Sequence, residues 1–293
     1  MTLRVSNLTG FGHPRRSAGG FYPTDLFLAS EKGFFFDMTN TSLMTQARDG
    51  TGVAPGTGDS VGLIQSAAGA ASTFYISPSA DSNRGTLQAG GGLILDGIND
   101  RYLGCTSNNS GVANWDLSKS SDNDATMFWV YDIDAESDTD RCLWEAGSTG
   151  NAGASYFYPS RAAGDTLTKH CYATGAGKER YAIIDASQTV VDLQDPQTCY
   201  FEFQSDSGVN MDVTDCVVET RKNATSAGVT YIGGDTAGAA YVGFGNLQNY
   251  IGFRGASANT YFKGVLYASF LIMRRLDDTE RTALESWGAA LLP

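Results

Sequence analysis

From about Phe34 onward the chain is written in short apolar runs broken by Gly, Ser, Asn and Asp. Leu93-Ile94-Leu95, Met127-Phe128-Trp129-Val130-Tyr131, Cys142-Leu143-Trp144 and Tyr156-Phe157-Tyr158 are four of them. Tyr181-Ala182-Ile183-Ile184, Tyr200-Phe201-Glu202-Phe203, Cys216-Val217-Val218, Val229-Thr230-Tyr231-Ile232 and Tyr250-Ile251-Gly252-Phe253 follow, and Val265 to Met273 is the longest. These runs have strand lengths, are rich in β-branched and aromatic residues, and are bounded by turn formers. No helical periodicity is interleaved, so the pattern predicts an all-β sandwich. One helix is predicted, at the C-terminus. Asp277 and Glu280 have the spacing of a capping box, and Leu284, Trp287 and Leu291 recur at helical intervals that would face the sandwich. Residues 49–73 are rich in Gly, Ala and Ser and read as a long loop.

The first residues do not fit this pattern. Gly10-Phe11-Gly12, Pro14-Arg15-Arg16 and Gly19-Gly20 make an aperiodic, basic segment. It reads as an extended arm over residues 1–24, followed by one sandwich domain over 25–293. An arm of this kind is expected to be held by a neighbouring subunit.

Charge narrows the partners. Thirty-two acids against 20 bases leave a net charge of −12. That balance argues against nucleic acid as a partner and against docking on anionic membranes, and no apolar run is long enough for membrane insertion. No hydrophobic h-region follows the N-terminal arginines, so no signal peptide is expected. Five cysteines without a C-x-x-C spacing make a poor disulfide framework and a poor zinc site, and read as thiols of a reducing compartment. With only His13 and His170, histidine-rich metal chemistry is excluded.

Two stretches carry a family likeness. Leu95-Asp96-Gly97-Ile98-Asn99-Asp100-Arg101-Tyr102-Leu103 resembles the F-D-G-V-D-D-Y-L signature of concanavalin A-like (LamG-like) jelly-roll domains. Phe262 to Tyr267, leading into Leu276-Asp277-Asp278-Thr279-Glu280-Arg281, resembles the closing strand and helix of the same domains. Upstream, Gly33-Phe34-Phe35-Phe36-Asp37, Leu43, Asp49-Gly50-Thr51 and Gly58-Asp59-Ser60-Val61-Gly62 resemble a lead-in of phage and prophage virion proteins. Phe35 and Phe36 stand where that lead-in has Trp-Tyr, and Met38-Thr39 where it has Pro-Ser. The likeness implies a concanavalin A-like jelly roll in a virion structural protein. The same sandwich hosts lectins, glycosidases, lyases and adhesion modules, so it implies fold more directly than function.

Several motifs bear on chemistry. Asp96, Asn99 and Asp100 are turn formers, and they are also the oxygen-bearing residues a calcium ion takes. Gly58-Asp59-Ser60-Val61-Gly62 matches the G-x-S-x-G nucleophile elbow but lacks the strand and helix that motif requires. Asp132, Asp134, Glu136, Asp138 and Asp140 read as a solvated hairpin turn, since the sixth and twelfth positions of a calcium loop hold Ser137 and Leu143. The E-x-D-x-x-E triplet of laminarinase-type sandwiches is absent. Tyr261 to Tyr267 faintly resembles one strand of alginate lyases, without the two other strands those enzymes need. Sugar rings stack on exposed aromatics, which makes Trp115, Tyr156, Tyr158, Tyr241 and Tyr250 the glycan-contact candidates, with core packing as the alternative for each.

The combined expectation is a non-enzymatic protein of the virion surface, made in the host bacterial cytoplasm. Arg4, Phe11, Arg15 and Arg16 of the arm would anchor it to capsid or tail proteins, and the sandwich would present a face to host polysaccharide. No cofactor is expected apart from the calcium alternative, and particle symmetry favours a homo-oligomer. The alternative function is a polysaccharide depolymerase on the same fold.

Overall fold

A computed structural model describes residues 20–28, 31–68, 74–105, 114–117, 124–134, 141–147, 155–159, 168–174, 178–185, 196–203, 217–226, 230–232, 246–253 and 260–293. The anchoring residues Arg4, Phe11, Arg15 and Arg16 lie outside them, as does Tyr241. The strands begin with β1 (Gly33–Asp37), β2 (Met44–Thr45), β3 (Leu63–Gln65), β4 (Tyr75–Pro78), β5 (Thr86–Leu87), β6 (Leu93–Asp96) and β7 (Tyr102–Cys105). They continue with β8 (Asn114–Asp116), β9 (Ala125–Ile133), β10 (Trp144–Gly147), β11 (Ser155–Tyr158), β12 (Thr168–Thr174) and β13 (Lys178–Asp185). The last are β14 (Gln197–Phe203), β15 (Val217–Lys222), β16 (Thr225–Ser226), β17 (Thr230–Ile232), β18 (Asn246–Ile251) and β19 (Lys263–Ile272), followed by helix α1 (Asp278–Ala289).

These strands form two antiparallel sheets, so the molecule is the all-β sandwich that its patterning predicts. Among the described residues one sheet runs β16-β15-β14-β9-β19-β6-β5. In it β1 pairs with Ala268–Ile272 of β19 while β6 pairs with Lys263–Leu266, so the two share one edge end to end. The other sheet runs β17-β13-β12-β11-β10-β18-β7-β4-β3-β2, with β8 beside β18.

The centre of the first sheet, β1, β9, β14 and the second half of β19, is buried on both faces, which explains why those strands read as unbroken apolar runs and not as alternation. Odd positions of β9 (Met127, Trp129, Tyr131) join Phe34, Phe36, Phe201 and Leu271 against Trp144, Phe157 and Ile251 of the second sheet. Even positions (Phe128, Val130) join Phe35, Tyr200 and Phe270 beneath Leu284 and Trp287 of the helix and Leu291 just past its end. The helix begins as its sequence dictates. The Asp277 carboxylate accepts from the Thr279 and Glu280 amides, and Glu280 reaches back to the Asp277 amide at 3.0 Å. It seats closely because Gly288 has no side chain: a Cβ there would come within 2.4 Å of the Phe128 ring.

Three expectations are corrected. The acidic run does not turn a hairpin, because β9 and β10 lie in different sheets and Asp134 pairs with Lys263 at 2.9 Å. The chain crosses between the layers at this point, and residues 135–140 lie outside the described ones. The stretch 49–73 is not all loop: Val61, Leu63 and Ile64 enter the core through β3. Its small residues serve packing, since Ser66 Oγ accepts from the Phe35 amide and the Ala67 amide donates to the Phe35 carbonyl, closing the free edge of β1. Finally, the last residues assigned to the arm are packed into the sandwich. The Tyr22 hydroxyl donates to Asp37 at 2.7 Å, and its ring meets Phe35 and Trp287 edge-on.

Candidate functional site

At one end of the sandwich the turns 79–84, 97–101, 252–253 and 260–262 come together, and the turn between β6 and β7 is their foundation. Asp96 Oδ1 accepts from the amides of Ile98, Asn99 and Asp100 at 2.8, 3.1 and 3.3 Å. Asp100 Oδ2 accepts from the Asp96 amide at 2.8 Å. Each carboxylate therefore caps the other's backbone. Gly97 adopts φ +74°, and a Cβ there would strike the Lys263 and Arg141 side chains, so this position needs glycine twice over. Buried Arg141 ties the turn to the next loop by donating to the carbonyls of Gly97 and Tyr261. Burial, and then the neighbouring Asp96 charge, push the Asp100 carboxyl up to about 6 against the pull of its backbone hydrogen bond.

This geometry bears on the turn-forming reading of the motif. Asp96 and Asp100 each turn one carboxylate oxygen onto backbone amides, and among the described residues no group of three His, Cys, Asp or Glu side chains is placed to hold a metal ion. Asn99 contributes its amide to the same cap. The motif is a fold determinant: it closes the turn and delivers Arg101 and Tyr102 to their places.

Tyr102 enters the core, where its hydroxyl donates to the Val61 carbonyl at 2.7 Å. Arg101 stays at the solvent boundary. Its Nε donates to Ser79 Oγ at 2.8 Å and its Nη1 lies 3.5 Å from the Tyr261 hydroxyl. Turned so that its amide oxygen faces the guanidinium, Asn83 accepts from Nε and Nη2 at 2.8 and 3.2 Å. The guanidinium carbon sits 5.6 Å from the centre of the Phe253 ring. Phe253 stacks on Tyr261 at 6.1 Å and meets Tyr250 edge-on at 5.0 Å. Gly252 makes this arrangement, leaving β18 at φ +85° while its carbonyl accepts from the Phe262 amide. The result is an arginine lying on an aromatic stack beside two hydroxyls and a carboxamide.

The sequence-predicted aromatic residues fare differently. Trp115 is fully buried and is corrected to a core residue. It stacks on Phe74 at 5.0 Å, packs against Phe34 and Phe36, and donates its indole N–H to the Cys105 carbonyl. Tyr250 is only 6% exposed and Phe253 only 7%, so both are supporting rings beneath the half-buried Arg101 and Tyr261, and the sugar contact expected of Tyr250 is corrected accordingly. Burial, then the charge of Glu145, raise its phenol above the ordinary range. Strand register aligns Leu103, Tyr250, Glu145, Tyr156, Cys171, Tyr181 and Ile232 in one row across the second sheet. Tyr156 thus stands in the same row as Tyr250, and Tyr158 stands opposite Lys169. Arg101, Phe253 and Tyr261 were not singled out as site residues by sequence. They are 152 and 8 residues apart in the chain, and no local spacing announces that they meet. Gly58-Asp59-Ser60-Val61-Gly62 is a turn in which Asp59 accepts from the Gly56 amide, not a strand-to-helix elbow.

No protein-family model matches the chain, and no curated protein matches it in sequence. Solved structures with a likeness include the CBM40 of the Ruminococcus gnavus IT-sialidase bound to α2,3-sialyllactose. It is 14% identical with a TM-score of 0.38, over 59% of this chain and 91% of that one. Domain 4 of AbnA, a GH43 extracellular arabinanase from Geobacillus stearothermophilus in complex with arabinotriose, is 12% identical with a TM-score of 0.40, over 90% and 99%. Values this low do not carry either ligand over to this chain.

Proposed function

We propose that this protein binds carbohydrate, without turning it over, through the loop end built on Arg101, Phe253 and Tyr261, and that it does so on the surface of a phage particle. One observation carries the binding reading: a half-buried arginine over the buried Phe253 ring, with Ser79, Asn83 and Tyr261 converging on it. Sugars present apolar C–H faces and a rim of hydroxyls, and such a group of ring, donors and acceptors matches both. The virion setting is supported by the resemblance of residues 33–62 to phage lead-in sequences, and by the basic segment that precedes them.

Two experiments address the two halves. On an oligosaccharide array, the protein is expected to bind a restricted set of glycans, and Tyr261→Ala should weaken that binding about tenfold, as removal of one stacking ring does. An unchanged affinity would remove Tyr261 from the site. For the anchor, deletion of residues 1–19 spares Tyr22 and its contact with Asp37, so the sandwich should still fold. The shortened chain is expected to be missing from purified particles. Normal incorporation would end the arm's proposed role.

A further inference from the structure

Arg84, Arg221, Arg274, Arg275 and Arg281 each face a carboxylate. Arg48 and Arg101 have no carboxylate within 4 Å among the described residues; both are oriented by neutral acceptors. Arg48 Nε donates to the Pro78 carbonyl at 2.8 Å, and Arg101 Nε donates to the hydroxyl of the next residue, Ser79. Two guanidinium groups with no carboxylate partner among the described residues are thus anchored on consecutive residues at the end of β4, in a chain whose net charge is −12.

The described acids of this region make their contacts with groups other than these two arginines. Asp96 and Asp100 cap their own turn, Asp49 accepts from Thr51, Asp59 from Gly56 and Gln46, and Asp81 faces Arg84. Arg101 also keeps at least one N–H on each terminal nitrogen after its bonds to Asn83 and Tyr261 are counted. A parallel pair of N–H groups on a fixed guanidinium is the geometry that receives a carboxylate or sulfate in a two-point grip.

Resting on the carbohydrate-binding reading above, we infer that the ligand is an acidic glycan. Its carboxylate or sulfate ester is held by Arg101 with Arg48 supplying a second positive charge, while the ring carrying it lies against Tyr261. A neutral sugar would leave both guanidinium groups uncompensated. An acidic one supplies a counter-charge that none of the described residues places within 4 Å of either.

The test is calorimetric titration of the whole protein with tetragalacturonate (carboxylated), a chondroitin sulfate tetrasaccharide (sulfated) and cellotetraose (neutral). At least one acidic probe should bind, more weakly as salt is raised from 20 to 200 mM, because exposed charges are screened over roughly 8 Å at physiological ionic strength. Arg101→Gln should weaken that binding roughly tenfold or more and Arg48→Gln by a smaller factor. Both positions are on the surface, and unchanged melting curves would confirm that the variants fold. Which acidic probe binds distinguishes a carboxylate from a sulfate. Binding of cellotetraose that exceeds both acidic probes, lost in Tyr261→Ala but kept in Arg101→Gln, would overturn the acidic assignment while leaving carbohydrate binding at this end in place. Acidic binding that is indifferent to both arginine substitutions would also overturn it. Failure of all three probes would overturn the assignment together with the reading on which it rests.

Discussion

Asp100 keeps its carboxylate largely out of water, with one oxygen on the Asp96 amide and the Asp96 charge close by. Its folded-state value of about 6 lies above the ordinary 3.8, so the folded protein holds this proton more tightly than the unfolded chain does. The contribution is therefore fully present below about pH 4 and is lost as pH rises through about 6. Buried Asp37 is raised as well, chiefly by burial, and acts in the same direction. Asp100→Asn keeps an acceptor for the Asp96 amide and removes the charge. Urea unfolding between pH 4 and 7 should show a shallower fall in stability for this variant than for the parent; an identical slope would mean that Asp100 does not titrate in this range. Trp115 illustrates a different limit. As one aromatic residue between Asn114 and Asp116, it has the same sequence signature whether it faces water or Phe74. The structure makes it core, and Trp115→Ala is expected to cost about 3–5 kcal/mol of stability, measured by denaturant unfolding.

At the scale of elements, the helix was legible in full because its signals are local: a capping box within four residues and apolar positions at helical intervals. Asp277→Ala should cost about 1 kcal/mol, since two amide hydrogen bonds lose their acceptor. The strands were legible as runs, but their partners were not. Met127–Tyr131 and Cys142–Trp144 look like two arms of one hairpin because an acidic, turn-rich stretch separates them. They lie in opposite sheets because β9 is buried on both faces between β14 and β19, a position that only distant parts of the chain can supply. Composition misled over residues 49–73 for a related reason. Small residues mark loops, and they also fill places where backbones approach closely, as Gly62 does against Gln46 and Ala47.

On the scale of the whole molecule, the sandwich brings together residues that sequence keeps apart. The stretch that resembles a jelly-roll signature was visible, yet its Asp residues build the turn while the adjoining Arg101 stays at the solvent boundary. Ser79 and Asn83 come from one crossing of the sandwich end, Arg101 from another, and Phe253 and Tyr261 from a third, so the site exists only once both sheets are assembled. The account is tested most directly by following the Arg101 Nε–Hε resonance, assigned by its loss in Arg101→Gln, during titration with tetragalacturonate, chondroitin sulfate tetrasaccharide and cellotetraose. Carbohydrate binding at this end predicts a saturable shift of that resonance with at least one of them. No shift with any of the three, or shifts confined to other parts of the molecule, would contradict it.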